Sequence, residues 1–209
     1  MLHRPLVLAT RNQGKIREFK SLTAGFDVEI KGLNDFGPIP EVEEDGATFE
    51  DNAYKKAHFT AKVLGFPAIS DDSGLLVEAL GEAPGVHSAR YAGEGATDRE
   101  NNGKLLRAME GVTKRKAAFQ CVIAIAVPRG PALIYKGRCE GEIALEGKGE
   151  DGFGYDPLFY YPPLKRTFAQ MTPEEKNSVS HRGMALAALG EEFDKVLLWV
   201  EKRLAEEMF

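Results

Sequence analysis

Residues 117–143 read AAFQCVIAIAVPRGPALIYKGRCEGEI, and this stretch decides the fold class. Ala117 to Val127 is an almost unbroken apolar run, Pro128-Arg129-Gly130-Pro131 interrupts it, and Ala132 to Ile143 resumes a strand-like pattern. The prolines and glycine suit a hairpin turn, so the spacing predicts two paired strands. Both are longer than an ordinary strand, which predicts a long antiparallel pair extending from the rest of the molecule.

Toward the N-terminus, Leu6 to Ala9 is a short apolar run, and Thr10-Arg11-Asn12-Gln13-Gly14-Lys15 follows it. Ile16, Phe19, Lys20 and Leu22 then share one helical face, so the order is strand, loop, helix. Phe26 to Ile30 alternates like a strand. Thr48 to Leu64 carries Phe49, Ala53, Ala57, Ala61 and Leu64 at helical spacing, with Thr48 as N-cap and Gly65-Phe66-Pro67 as the stop. Ala68–Ser70 and Leu75–Ala79 read as strands flanking a turn at Asp71-Asp72-Ser73-Gly74. Gly81 to Gly95 is loop-rich, and Thr97 to Met109 is helical. Beyond the hairpin come a glycine-rich loop, Gly147 to Gly154, a break at Pro162-Pro163, and two helices, Asn177–Leu189 and Glu191–Met208. With no internal repeat or low-complexity linker, the pattern predicts one continuous α/β unit.

Composition narrows the function. The 209 residues are 43% apolar, and 27 Lys and Arg stand against 32 Asp and Glu, a net charge of -5. Such a surface does not attract nucleic acid or a membrane face as a whole, so any phosphate must meet a local cluster of positive charge. The longest apolar run, Cys121 to Val127, is far short of the roughly 20 residues of a membrane-spanning helix. MLHRPLVLAT is too short in apolar residues for a secretory signal, and a cytoplasmic location is expected. Cys121 and Cys139 lack partners at metal spacing and read as packing residues. Lys114-Arg115-Lys116 reads as a solvated turn.

Several groups carry candidate chemistry. Thr10, Asn12 and Lys15 bring a hydroxyl, an amide and an ammonium to a helix start whose free N–H groups favour an anion. The segment is not a Walker loop, and a plain helix cap with a solvated lysine is the competing reading. Glu41, Glu43, Glu44 and Asp45, then Asp51, offer hard oxygen ligands, as do Asp71 and Asp72. An acidic loop is often only solvated, but adjacent acids between strands repel each other unless cations or donors offset them. Magnesium takes one or two carboxylates and fills its shell from water and phosphate, so two acids from distant segments suffice for a triphosphate site.

Gly147-Lys148-Gly149-Glu150-Asp151-Gly152 fits GxGxxG formally, yet Phe153-Gly154-Tyr155-Asp156-Pro157 follows it with no helical period, which excludes a dinucleotide fingerprint. Phe153 is instead free to stack on a base or to fill the core, with Asp156 as an acceptor for a ring N–H. Lys176, Ser178, His181 and Arg182 form a cationic group that suits a phosphate, a base carbonyl, or simply water.

Taken in order, the segments Ala9-Thr10-x-Asn12-x-x-Lys15, Glu44-x-Gly46-x-Thr48-Phe49-x-x-Asn52-Ala53, Asp71-Asp72-Ser73-Gly74-Leu75, Pro84-Gly85-Val86-x-Ser88-Ala89-Arg90-Tyr91, Gly152-Phe153-Gly154-Tyr155-Asp156-Pro157 and Ser180-His181-Arg182-Gly183 resemble the inosine triphosphate pyrophosphatase family, the non-canonical purine NTP pyrophosphatases. Arg11 departs from the small residues common at its position. The resemblance implies an α/β fold with a long curved mixed β-sheet, flanking helices and two lobes around a central cleft, residues 1–209 forming a single domain that pairs as a homodimer. It implies magnesium-dependent hydrolysis of ITP, dITP or XTP to the monophosphate and pyrophosphate. By matched position Thr10, Arg11, Asn12, Gln13, Gly14, Lys15 and Lys56 face the triphosphate, Glu44 and Asp72 the metal, and Asp72 the attacking water. Ser73, Phe153, Gly154, Tyr155, Asp156, Lys176, His181 and Arg182 line the nucleotide site. A nucleotide sensor that does not cut its ligand needs the same stacking and phosphate groups but no carboxylate at a water. A pyrophosphatase of the related Maf type is disfavoured by the Ser180-His181-Arg182 and Phe153-to-Asp156 motifs.

Overall fold

Between Ala117 and Ala126 every residue but Gln120 is buried, whereas from Lys136 to Ile143 burial alternates residue by residue. The first pattern belongs to a strand covered on both faces, the second to a strand with one face in water. These are β4 (Lys116–Ala126) and β5 (Ala132–Ile143), which hydrogen-bond as neighbours. The five residues between them are too few for a parallel crossover, so they run antiparallel.

The computed structural model describes residues 5–40 and 42–206. In chain order the other elements are β1 (Leu6–Leu8), α1 (Gln13–Leu22), β2 (Ile30–Gly32), α2 (Phe49–Leu64), β3 (Ala68–Val77), α3 (Asp98–Ala108), β6 (Phe159–Tyr161), β7 (Arg166–Thr167), α4 (Pro173–Val179), α5 (His181–Glu191) and α6 (Phe193–Glu206). The seven strands form one sheet in the order β2-β1-β3-β4-β5-β6-β7. It is mixed: β1 is parallel to both β2 and β3, and β5, β6 and β7 are successively antiparallel. Among the described residues no helix is long and apolar enough to cross a membrane.

The chain divides into two compact units, one of Met1–Asp72, Val122–Lys136 and Ala185–Phe209, the other of Ser73–Cys121 and Gly137–Met184. In the first, Leu6, Val7, Ile69 and the alanine face of α2 (Ala53, Ala57, Ala61) are wholly buried, and Phe26 packs edge-on against Phe193 at 4.8 Å. In the second, Phe119 lies 4.6 Å from Phe159 and 5.9 Å from Phe168, within a cluster that includes Leu75, Val77, Leu105 and Ile143. Removing one such phenylalanine side chain costs about 3–5 kcal/mol, so these rings fix the inner walls of that unit.

The structure departs from the sequence reading at several points. Asp71 to Gly74 is no turn: β3 runs unbroken from Ala68 to Val77, because partners described below offset the charges of both aspartates. The strand expected over Phe26–Ile30 begins only at Ile30, where pairing with Leu6 starts. The helix expected from Asn177 to Leu189 is two helices. Ser180 is extended (φ -77°, ψ 156°) and its hydroxyl accepts from the Gly183 N–H at 3.1 Å, which restarts the chain as α5. Arg115 is no solvated turn residue, since its guanidinium donates to Met109 O at 3.0 Å, Val112 O at 3.2 Å, Ile143 O at 2.6 Å and Ala144 O at 3.0 Å. Glu41, one of the loop acids with oxygen donors, and the expected helix end at Met208 lie outside the described residues.

Arg115 therefore ties the loop after α3 to the end of β5. Arg115→Ala leaves four carbonyls without this donor and is expected to lower unfolding stability by about 2–3 kcal/mol. Arg115→Lys recovers only part, because an ammonium cannot reproduce the planar fork. Urea unfolding midpoints check both.

Candidate functional site

In the first unit the site is built on the start of α1. Asn12 is extended (φ -73°, ψ 112°) and its Oδ1 accepts from Gly14 N at 2.8 Å and Lys15 N at 3.3 Å, while its own N–H donates to Thr10 Oγ1 at 3.1 Å. Gln13 and Gly14 open the helix behind it. The cap fixes the turn, and Lys15 is carried to Asp71, whose Oδ1 it meets at 2.7 Å. Arg11 turns to Asn34, donating to its Oδ1 at 3.1 Å, so the unusual arginine braces the loop against the segment after β2.

One turn-and-cap system positions the second lysine. The Thr48 hydroxyl accepts from Asp51 N at 3.1 Å while the Asp51 carboxylate accepts from Thr48 N at 3.1 Å, a reciprocal cap that starts α2. Gly65, in the left-handed conformation (φ 69°), ends it. Ser70 Oγ donates to Ala53 O at 2.5 Å and fastens β3 to α2 just ahead of the paired aspartates. Lys56, on α2, then reaches Asp72 Oδ1 at 3.0 Å and Glu44 Oε1 at 3.1 Å. Its side chain is 15% exposed and that of Asp72 12%.

Charge is unevenly matched here. Two ammoniums, Lys15 and Lys56, face three carboxylates, Glu44, Asp71 and Asp72. Burial works against the Lys56 charge, but Asp72, Glu44 and Asp71 together outweigh it and hold its pKa above the ordinary lysine value. For Asp72 burial raises the pKa, Lys56 opposes it, and the Glu44 charge adds to the rise, leaving the carboxyl above the usual aspartate range. The two directions are compatible: a cation shared among several acids gains more than any one acid receives.

Asn52 is a site residue that the sequence reading does not single out. It lies one helical turn before Lys56, and its Oδ1 accepts from Gly46 N at 2.8 Å, which ties the loop bearing Glu44 to α2. A Cβ at Gly46 would stand 2.5 Å from that oxygen, so only glycine allows the approach. Asp71, named as an acid but not as a site residue, is the partner of Lys15. The helical spacing of Asn52 and Lys56 was a signal for the first, and nothing in the sequence marked which aspartate would meet which lysine.

The second unit gathers the remaining candidates. Asp156 is 2% exposed; its Oδ2 accepts from Phe153 N at 2.9 Å and from the Lys176 ammonium. Burial raises the Asp156 pKa against the pull of Lys176. Gly152 (φ 82°) makes the turn possible, since a Cβ there would fall 2.1 Å from Asp156 Oδ2. Phe153 is 60% exposed, with Lys176 Nζ 4.5 Å and the Arg182 guanidinium carbon 5.8 Å from its ring centre. Arg182 also donates to Ser73 Oγ at 3.4 Å. His181 is 8% exposed and stacks on Phe119 at 4.7 Å. The side chain of Tyr155, expected to face the nucleotide, instead enters the core, its hydroxyl donating to Ser88 O at 2.8 Å, and burial pushes that hydroxyl well above the usual tyrosine pKa. Loop, not helix, follows Gly147 to Gly152, as the proline and missing period required.

A divalent cation is compatible with these residues. Glu44 and Asp72 converge on one ammonium, which brings two carboxylates from distant segments close together. Among the described residues no group of three or more His, Cys, Asp or Glu is arranged to hold a metal unaided. Two carboxylates are hard oxygen donors of the kind a divalent cation takes together with water and phosphate.

The model of the Ham1 family matches residues 6–192. A dITP/XTP pyrophosphatase of Syntrophobacter fumaroxidans is 60% identical over 99% of this chain and 89% of its own. One from Geobacillus kaustophilus is 49% identical over 92% of this chain and 95% of its own. Among solved structures, a HAM1 protein from Coxiella burnetii superposes with a TM-score of 0.88 at 44% identity, covering 92% of this chain and 99% of that one. The Staphylococcus aureus Ham1 protein gives 0.87 at the same identity and coverage.

The Lys176–Asp156 pair gives a stability test. Lys176→Met leaves a buried carboxylate without its cation and is expected to cost about 3–5 kcal/mol. Adding Asp156→Asn to that variant restores part of the loss, and chemical denaturation of the single and double variants measures it.

Proposed function

The chain belongs to the Ham1 family, and we propose that it hydrolyses the non-canonical purine nucleoside triphosphates ITP, dITP and XTP to the monophosphate and pyrophosphate. The observation that carries this reading is the meeting of Glu44 and Asp72 at Lys56, beside the Lys15–Asp71 pair and the capped start of α1. Acids and ammoniums held together in this way suit a phosphate chain and its counter-cation better than either suits them alone.

In this reading Thr10, Asn12, Gln13, Gly14, Lys15 and Lys56 take the triphosphate, whose negative charge the helix start and the two ammoniums offset. Arg11 acts by holding that loop through Asn34. Glu44 and Asp72 would hold magnesium, which when bound would offset further phosphate charge. Asp72 orients a water and takes its proton as the water oxygen bonds to the α-phosphorus. The bond from the α-phosphorus to the bridging oxygen breaks, and pyrophosphate leaves with that oxygen.

The base falls to Ser73, Phe153, Gly154, Asp156, Lys176, His181 and Arg182, with Tyr155 holding the loop from within. Phe153 supplies a stacking face, and Arg182 and Lys176 supply donors that match a 6-oxo group but find no acceptor on the 6-amino group of adenine. Leaving such donors unpaired discriminates strongly. The family reading also carries a homodimer working in the cytoplasm, with residues 1–209 as one catalytic domain.

Asp72→Asn tests the proposal. Its kcat for ITP should fall about 10²- to 10⁴-fold, with ITP affinity by calorimetry changed far less. The wild-type products should be monophosphate and pyrophosphate in equal amounts, lost on chelation and restored by magnesium. Normal ITP turnover by the variant would end the catalytic assignment.

A further inference from the structure

The exposed ring of Phe153 has little packing to hold it, yet its backbone is held on both sides. Its own N–H donates to Asp156 Oδ2 at 2.9 Å, fixing the peptide before it. The peptide after it ends in the N–H of Gly154, which donates to Asp98 Oδ2 at 2.6 Å. The next carbonyl, Gly154 O, accepts from Asn102 Nδ2 at 2.7 Å. Both polar groups of one glycine are thus taken by a single helix, and Gly154 needs the left-handed conformation (φ 61°) in which it is found.

The geometry of α3 accounts for the match. Thr97 and Glu100 form a reciprocal cap that fixes where the helix begins, which puts Asp98 in its first turn and Asn102 four residues later on the same face. Asn102 Nδ2 also donates to Asp98 O at 2.8 Å, so the two side chains keep one alignment. Their neighbour Asn101 fastens the helix in turn, accepting from Ala92 N at 2.7 Å and donating to Ala89 O at 3.0 Å. The segment that receives Asn101 also receives Tyr155, whose hydroxyl bonds Ser88 O. The Ser88-to-Tyr91 motif, for which the chemistry of the reaction gives no task, therefore belongs to the support of the Phe153 loop.

We propose that Asp98 and Asn102 are positioning residues for the base: by clamping Gly154 from α3 they hold Phe153 as a preformed stacking platform for the purine. The inference rests on the reading of Phe153 as the base-stacking residue. An exposed aromatic on a free loop loses conformational freedom when a base settles on it, and a clamp that has already removed that freedom spares the ligand the cost. The clamp acts on binding of the base, so its loss appears in KM and not in the bond-breaking step.

The test compares Asp98→Ala, Asp98→Asn, Asn102→Ala, Phe153→Ala and the double variant Asn102→Ala/Phe153→Ala in steady-state ITP hydrolysis with magnesium. Thermal melts establish which of them are folded. Asp98→Ala and Asn102→Ala should each raise KM about five- to tenfold, with kcat within about twofold of wild type. Asp98→Asn, whose amide oxygen can still accept from Gly154, should recover most of the affinity, and it keeps the proposal testable if the alanine variant fails to fold. Inorganic tripolyphosphate, a competitor without a base, should inhibit all variants with an unchanged Ki. In the Phe153→Ala background, Asn102→Ala should add nothing, because the clamp acts through that ring. If Phe153→Ala leaves KM for ITP unchanged, the stacking assignment itself fails. If Phe153→Ala raises KM while the α3 variants do not, or if the two effects multiply in the double variant, the clamp proposal is overturned and the stacking assignment stands.

Discussion

One ammonium, that of Lys56, joins two parts of the chain that are far apart in sequence. Glu44 comes from the loop before α2 and Asp72 from β3, and both end on the same Nζ. Nothing else about the arrangement is permissive. Glu44 and Asp72 repel one another at the distance their common partner imposes, and Asp71 adds a third acid next to them in the strand. Lys15 takes Asp71, and Lys56 offsets the other two. The rest of the first unit serves this balance: the caps of α1 and α2 place the lysines, Ser70 fastens β3 to α2, and Asn52 secures the loop carrying Glu44.

The second unit solves a similar problem with one pair and uses the surplus differently. Asp156 is buried more deeply than Asp72, yet it has Lys176 at hand and accepts from the Phe153 backbone as well. Satisfied on several sides, it serves as a fixed point from which the loop is hung. The ammonium of Lys176 lies over the Phe153 ring, so one cation both neutralises the acid and stabilises the aromatic face. The two units thus present different chemistry: carboxylates gathered around lysines in the first, a flat ring flanked by donors in the second.

Much of this was legible in the sequence where a local rule decides. The Thr48 cap, the alanine face of α2 and the two long strands follow from periodicity and capping, and they stand where those rules put them. The ordered motifs named the family, which the family match and the relatives bear out. The misreadings occur where a distant partner overrides a local preference. Asp-Asp-Ser-Gly is turn-like in isolation, but lysines 16 and 56 positions away let it run straight through as strand. Arg115 sits between two lysines like a solvated residue, but four carbonyls from separate segments draw it in. Tyr155 shares a motif with Phe153 but is drawn into the core by the Ser88 carbonyl, a partner 67 positions away. Glycines were visible as a class, but which of them make room for an acid or an amide depended on Asp156 and Asn52, which only the folded chain brings near.

Lys56 has two employments in the proposed reaction, and they compete. It is the counter-ion that makes a buried Asp72 carboxylate tolerable, and it is a donor for the phosphates of the substrate. A phosphate that draws on the ammonium leaves Asp72 with a smaller share of it, and a carboxyl that loses counter-charge in a buried setting holds a proton more tightly. In the proposed reaction the divalent cation would replace the counter-charge that a phosphate draws from Lys56. Without phosphate the same ammonium keeps Asp72 charged, which is the form able to accept a proton. The shared lysine thus ties the charge balance of the two acids to what occupies the site.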